Sequence, residues 1–290
     1  MNNAPEIWFP HLGIEIEHLD NVAFRLFGME VYWYGVVIAM GMVLALLLTF
    51  YEVKRSGQDS NLYTDVTIWC ILLGIVGARL YYVIFNWKLF AGRPLEIFNL
   101  RGGGLAIYGG VIGGLITALV ITRLKKASFW KVADTCIPGV VVGQIVGRIG
   151  NFINREVFGG YSDGLLAMRY RLSDVKAADV TPDIAEHIVT WQGVEYIQVH
   201  PTFLYESLWN IGVLMLLLVL LRKKKTDGTV LAAYFIGYGV GRFWIEGIRT
   251  DQLYLWGTNF PISQLVSLIL IAIGVVILLL RHRKKQDTVV

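Results

Sequence analysis

The stretch VYWYGVVIAMGMVLALLLTF, Val31–Phe50, decides the fold class. It contains no charged residue. A helix of about 20 residues crosses a hydrocarbon core of about 30 Å. Lipid offers backbone amides no partner, so such a run closes its own hydrogen bonds as a helix. The alternation of a transmembrane strand is missing. Six more runs match this one: Val66–Phe85, Leu105–Thr122, Val132–Ile149, Thr202–Leu221, Thr229–Ile248 and Ile262–Leu280. The expectation is an all-α polytopic membrane protein with seven transmembrane helices, a single membrane domain over residues 1–290.

Composition agrees. Of 290 residues, 55% are hydrophobic and 17% charged, and the mean hydropathy is +0.56. The net charge of +4 is modest. No basic stripe is interleaved with aromatics, so no nucleic-acid partner is expected. Cys70 and Cys136 lie in apolar stretches at a spacing that fits no zinc or redox motif. The histidines (His11, His18, His187, His200, His282) are scattered, and no metal site is expected. The N-terminus lacks a basic segment followed by a short apolar core, so no cleavable signal peptide is expected.

Lysine and arginine set the orientation. Lys54, Arg55, Arg123, Lys125, Lys126, Lys131, Arg222, Lys223, Lys224, Lys225, Arg281, Arg283, Lys284 and Lys285 lie on one side, 14 of the 26 basic residues. The opposite segments hold nine: Arg25, Lys88, Arg93, Arg101, Arg155, Arg169, Arg171, Lys176 and Arg249. Cytoplasmic loops carry the basic excess, which puts the N-terminus outside and the C-terminus in the cytoplasm. The outer side then carries an extended N-terminal arm, residues 1–30, a loop at 86–104, and an extracytoplasmic insertion, residues 150–201.

Charge within a span costs about 2.5–3.5 kcal/mol per residue and usually has a task. Arg79, Asp134, Arg148, Glu206, Arg242 and Glu246 lie in or at the ends of spans. Arg148, Glu206, Arg242 and Glu246 fall toward the outer half. Structural ion pairing explains any one of them; four at one level favour a polar site.

Four motifs carry the candidate chemistry. In GRIGNFINREVFGG, Gly147–Gly160, helical spacing puts Gln144, Arg148 and Asn151 on one face, with Asn154 continuing it. A guanidinium fork suits a phosphate, whereas a lone snorkelling arginine needs no such amides. In GYGVGRFWIEGIRTD, Gly237–Asp251, Arg242 and Glu246 are four apart. A local salt bridge explains that pair but not Arg249 beside it. In HPTFLYES, His200–Ser207, Pro201 suits a first helical turn and leaves His200 just outside, with Tyr205 and Glu206 a turn inside. This is a helix start or a site. In RGGGLAIYGGVIGG, Arg101–Gly114, the pairs Gly109/Gly113 and Gly110/Gly114 allow close helix approach, and Tyr108 faces whatever they leave open. Tyr34, in WYG at the outer end of the first span, is either an interfacial anchor or part of the site.

These motifs, in this order and over essentially all seven spans, resemble the prolipoprotein diacylglyceryl transferases; GRIGNFINREVFG is the most specific. The resemblance implies an enzyme of the bacterial cytoplasmic (inner) membrane with its active site toward the extracytoplasmic side. Such an enzyme moves the diacylglyceryl group of phosphatidylglycerol onto the lipobox cysteine of a prolipoprotein signal peptide. Glycerol 1-phosphate is released, and no metal or cofactor is implied. Where many members carry histidine before the paired glycines, this chain has Tyr108, a poor base at neutral pH unless perturbed.

The residues support such chemistry as follows. Arg148 and Arg242 stabilise the phosphate, Asn151 and Asn154 hold the headgroup, Glu246 orients Arg242, and Tyr34 and Tyr108 position the thiol or the ester. The base is Glu206, His200 or Tyr108, unless the arginines suffice by favouring the thiolate. Two other readings stand beside the enzyme: an anion transporter, and a non-catalytic phospholipid-binding factor.

Overall fold

The computed structural model describes residues 4–100 and 103–286. Arg101, which opens the fourth motif, lies outside the described residues, as do the side chains of His282, Arg283, Lys284 and Lys285. The chain is mostly helical, and among the described residues six helices are long and apolar enough to cross a membrane. They are α1 (Trp33–Arg55), α2 (Ser60–Phe85), α4 (Ile107–Leu124), α5 (Phe129–Ile153), α7 (Thr202–Lys223) and α9 (Ile262–Gln286). Short α3 (Trp87–Phe90) and α6 (Pro182–Glu186) intervene. Asp59 caps α2 by accepting from the Asn61 N–H, and Thr181 caps α6 by accepting from the Ile184 N–H. Large apolar side chains such as Val43, Leu47, Leu72 and Val120 are exposed along the helices, as a lipid-facing surface requires.

The seventh expected span forms helix α8 (Thr229–Glu246), but it is not apolar enough to join the six. It carries Arg242 and Glu246, and it buries Val230, Leu231, Ala232, Tyr234, Gly239, Gly241, Ile245 and Glu246. A helix packed largely against protein need not be apolar all round.

The all-α expectation is corrected by seven short strands among the described residues. Strands β1 (Ile7–Phe9), β2 (Ile14–Ile16), β5 (Met168–Arg171), β6 (Val189–Trp191) and β7 (Val194–Val199) form one antiparallel sheet in the order β2-β1-β5-β7-β6. Strands β3 (Val22–Leu26) and β4 (Met29–Tyr32) form a separate hairpin. The arm and the insertion thus share a sheet: Ile7 pairs with Tyr170 and Trp8 with Arg169. Period-2 alternation sends Ile7 and Phe9 inward, where they pack with Phe158, Met168, Tyr170, Ile184, Ile197 and Val199. Arg155 fastens the arm, donating to Glu6, Asn21 and the Leu19 carbonyl.

The chain divides into two compact units, Met1–Leu48 with Cys136–Val290, and Thr49–Thr135. In the first, Val141, Val213, Leu217, Val230 and Tyr234 form a core among α5, α7 and α8. In the second, α2 and α4 pack closely. A Cβ on Gly77 would lie 2.5 Å from the Gly109 carbonyl oxygen, and one on Gly113 would lie 2.7 Å from that of Leu73. Gly109 and Gly113 of the fourth motif therefore serve helix packing.

Candidate functional site

The first unit brings three of the four motifs together. Glu206, one turn into α7 and 3% exposed, is the junction. It accepts from Arg148 of α5 and, at 3.3 Å, from Arg242 of α8. Arg242 also lies 2.7 Å from the Glu246 carboxylate one turn along α8. Arg249 lies 3.4 Å from that same Glu246 oxygen, and its guanidinium is held in a fork by Asp251 at 2.9 and 2.6 Å. The second cation that a lone Arg242–Glu246 bridge did not explain thus has its own carboxylate. Burial alone would raise the Asp251 carboxyl, but Arg249 holds it below its ordinary value.

Arg148 and Arg242 keep part of their side chains open, at 18% and 15% exposure. Arg148 donates to Asn151 at 3.0 Å. Asn151 donates to Glu156 at 3.0 Å, and Asn154 reaches the same oxygen at 3.5 Å. Helix α5 ends at Ile153, so Asn154 sits just beyond the helical face expected to include it. Gln144, on that face, donates instead to the Tyr234 hydroxyl at 2.8 Å. Tyr34 at the start of α1 lies over Gly150, where a Cβ would come within 2.8 Å of its ring.

The segment after α5 stitches the motifs through backbone. Gly159 N–H donates to the His200 carbonyl at 3.0 Å, and His200 N–H returns a bond to Gly160 at 3.0 Å. Gly160 N–H donates to Ile248 at 2.9 Å. Any Cβ on Gly159 would lie 2.8 Å from both the His200 Cβ and the Ile248 carbonyl oxygen. Arg155 and Val157 just before it adopt φ of 53° and 61°. That conformation is rare for a β-branched residue and persists only where its surroundings enforce it. Thr202 does so at Val157, donating to its carbonyl.

His200 sits immediately before α7, as expected, with its Nδ1 3.2 Å from the Tyr205 hydroxyl. Burial lowers its pKa from the ordinary imidazole value, which leaves the ring neutral and able to take a proton at neutral pH. Tyr108 belongs to the second unit, where its ring lies 6.4 Å from that of Tyr81. The ion-pair chain and the segments around it belong to the first unit alone. Two of the site's members were not singled out from sequence. Glu156 lies inside the quoted first motif, and its signal is a carboxylate two residues after Asn154. Asp251 closes the second motif beside Arg249.

Chemically, three guanidiniums (Arg148, Arg242, Arg249) alternate with three carboxylates (Glu206, Glu246, Asp251). Such a chain balances its own charge and fixes the forks in place. The two forks that stay partly exposed suit an incoming anion with little reorganisation. Among the described residues no cluster fit to hold a metal ion is present.

Residues 21–280 match the family model described as prolipoprotein diacylglyceryl transferase. The chain is 39% identical over 273 residues to the phosphatidylglycerol–prolipoprotein diacylglyceryl transferase of Listeria welshimeri, covering 94% of each chain. Against the protein of the same name from Clostridioides difficile it is 38% identical over 271 residues, covering 93% of this chain and 99% of that one. Against that of Finegoldia magna the identity is 39% over 268 residues, covering 92% and 97%.

Proposed function

The chain belongs to the prolipoprotein diacylglyceryl transferase family, and from that premise we propose that it transfers the diacylglyceryl group of phosphatidylglycerol to the lipobox cysteine of prolipoproteins. The thiolate sulfur attacks the glycerol carbon that bears the phosphate ester. A C–S bond forms, the C–O bond breaks, and glycerol 1-phosphate leaves with the bonding pair. The thiol proton passes to a base. No step calls on a metal or cofactor.

The observation that carries this reading is the junction at Glu206, where Arg148 and Arg242 from two different helices are held side by side and partly open. Their forks take the phosphate and stabilise the charge that grows on it. Glu206 and Glu246 orient the arginines; Glu206 commits its oxygens to two guanidiniums, which suits it to that task better than to taking a proton. Asn151 and Asn154, steadied by Glu156, hold the headgroup glycerol. Tyr34 flanks them from α1. His200, neutral and beside Tyr205, is the base this unit offers. Tyr108 is assigned by substitution in the same assay.

The membrane reading completes the proposal. Helix α8 is the seventh span, its Arg242 and Glu246 facing protein. The N-terminus and the 150–201 insertion lie outside, and the Lys/Arg-rich helix ends lie in the cytoplasm. The chain then sits in the bacterial inner membrane, with the site on the side where exported precursors arrive.

Purified protein, phosphatidylglycerol and a lipobox peptide provide the test. Release of glycerol phosphate together with a peptide mass gain, both lost with a Cys→Ser peptide, is the expected result. Phosphatidylglycerol binding without release would favour the phospholipid-binding factor instead.

A further inference from the structure

Within the second unit, the connection after α2 has a defined inside. Arg79, on α2 and buried, spends all five of its N–H donors on loop carbonyls. Its Nε bonds Ile97 at 2.8 Å, one terminal nitrogen bonds Gly103 and Gly104 at 2.8 and 3.0 Å, and the other bonds Glu96 and Asn99 at 2.6 and 3.0 Å. Phe90 turns inward, its ring centroid 5.2 Å from the Arg79 guanidinium. The loop is therefore folded, yet it turns large apolar side chains outward. Leu95 is 82% and Phe98 80% exposed, and Trp87 and Leu89 are each more than half exposed. The same outward surface continues along Ile84 and Phe85 at the end of α2. Exposed apolar surface of this extent on an ordered element marks a contact face.

Beside it lies a cavity of about 670 Å³ lined by Arg79, Lys88, Arg93, Glu96, Asn99 and Gly104, among others. Among the described residues Lys88 has no carboxylate partner, and Arg93 shares Glu96 at 3.2 Å. Three cations thus face one carboxylate. Apolar side chains flanking a cationic hollow at the end of a membrane-length helix have the chemistry of the lipid interface, where long basic side chains reach headgroups and aromatic rings sit at headgroup level.

We propose that residues 86–99 form a binding element for anionic phospholipid. Trp87, Leu89, Leu95 and Phe98 enter the acyl boundary, while Lys88 and Arg93 receive the lipid phosphate at the cavity. Arg79 supplies the scaffold, its donors being already taken. The inference stands on the chain being membrane-embedded and not on the transfer reaction.

The test uses full-length protein with Cys70→Ala and Cys136→Ala, reconstituted in phosphatidylcholine vesicles. A bimane is attached through Phe98→Cys, and a second preparation carries it through Leu47→Cys on α1. Nitroxide-labelled phosphatidylglycerol or phosphatidylcholine is the quencher. Both lipids should quench both positions. At position 98 the anionic lipid should be preferred by roughly fivefold or more, as expected when a basic residue near the surface attracts anionic lipid. The preference should vanish in Lys88→Gln/Arg93→Gln and persist in Lys88→Arg/Arg93→Lys, with position 47 unchanged in both. A label at 98 that no lipid quenches overturns the proposal. So does equal quenching by the two lipids, or a preference that survives neutralisation.

Discussion

Arg79 and Arg148 are both arginines within membrane-length helices, and they are satisfied in opposite ways. Arg79 meets five neutral carbonyls, which leave no donor open. Arg148 meets a carboxylate and an amide and stays partly open. A guanidinium saturated by backbone is a clasp for a loop. One held by an acid and open along another edge is preorganised for a ligand, because the acid fixes its direction without using all its donors. The partners of an intramembrane charge, more than its presence, separate scaffold from site.

Removing each cation in turn should separate the two arginines most clearly. Arg148→Ala should lower kcat/KM about 10²–10³-fold, the loss typical of removing one preorganised donor from developing charge. Arg148→Lys should recover little, since an ammonium cannot reproduce the fork. Turnover with phosphatidylglycerol and a lipobox peptide measures both. If Arg148→Ala keeps full turnover and only melts earlier, Arg148 is a clasp like Arg79 and the phosphate role is lost.

The second effect falls on stability. Arg79→Met strands several loop carbonyls and should cost roughly 2–3 kcal/mol. The thermal midpoint in detergent should drop, and Arg79→Lys, with three donors in place of five, should restore only part of it. The protein that remains folded should turn over at a rate close to the parent's. A kcat loss as large as that of Arg148→Ala, without a change in midpoint, would erase the distinction between the two arginines.

A smaller effect tests how the open edges are positioned. Gly159→Ala introduces a Cβ that would sit 2.8 Å from His200 Cβ and from the Ile248 carbonyl. The strain should cost about 1–3 kcal/mol and should move the His200 and Arg249 segments together. Activity should fall more than the thermal midpoint does. Equal effects on both would make Gly159 a packing glycine of the kind found between α2 and α4.

How far the sequence makes this legible follows from the range of each interaction. Six spans are written in local hydropathy, and all six appear as helices. α8 is weaker in that signal because it carries Arg242 and Glu246 and packs against protein. The three motifs of the first unit are legible as local clusters of polar residues. What joins them is not: Glu206 bridging α5 and α8 depends on helix packing that no single segment encodes. The shared sheet is likewise hidden, since strands of only three and four residues, Ile7–Phe9 and Met168–Arg171, give too short a run for period-2 alternation to register. Arg79 reads from sequence as another in-span charge, because backbone carbonyls have no letter of their own.

The smallest effect concerns a third guanidinium that falls between the two extremes. Arg155 takes both charge and carbonyl, bonding Glu6, Asn21 and the Leu19 carbonyl. Burial alone would raise the Glu6 carboxyl, but the Leu19 N–H, His18 and Arg155 together bring it below its ordinary value. A carboxyl whose folded pKa is depressed contributes stability that is complete above its unfolded pKa and lost as pH falls through the folded one. The fastening of the arm should therefore weaken on acidification below about pH 4.5, by less than about 1 kcal/mol because the group is only partly desolvated. Hydrogen exchange at Ile7–Phe9 should accelerate there beyond its intrinsic pH dependence, and Glu6→Gln should remove that limb while raising exchange at neutral pH. If the pH limb persists in Glu6→Gln, another acid produces it, with Asp174 in reach at 3.6 Å from Arg155, and Glu6 loses its part in fastening the arm.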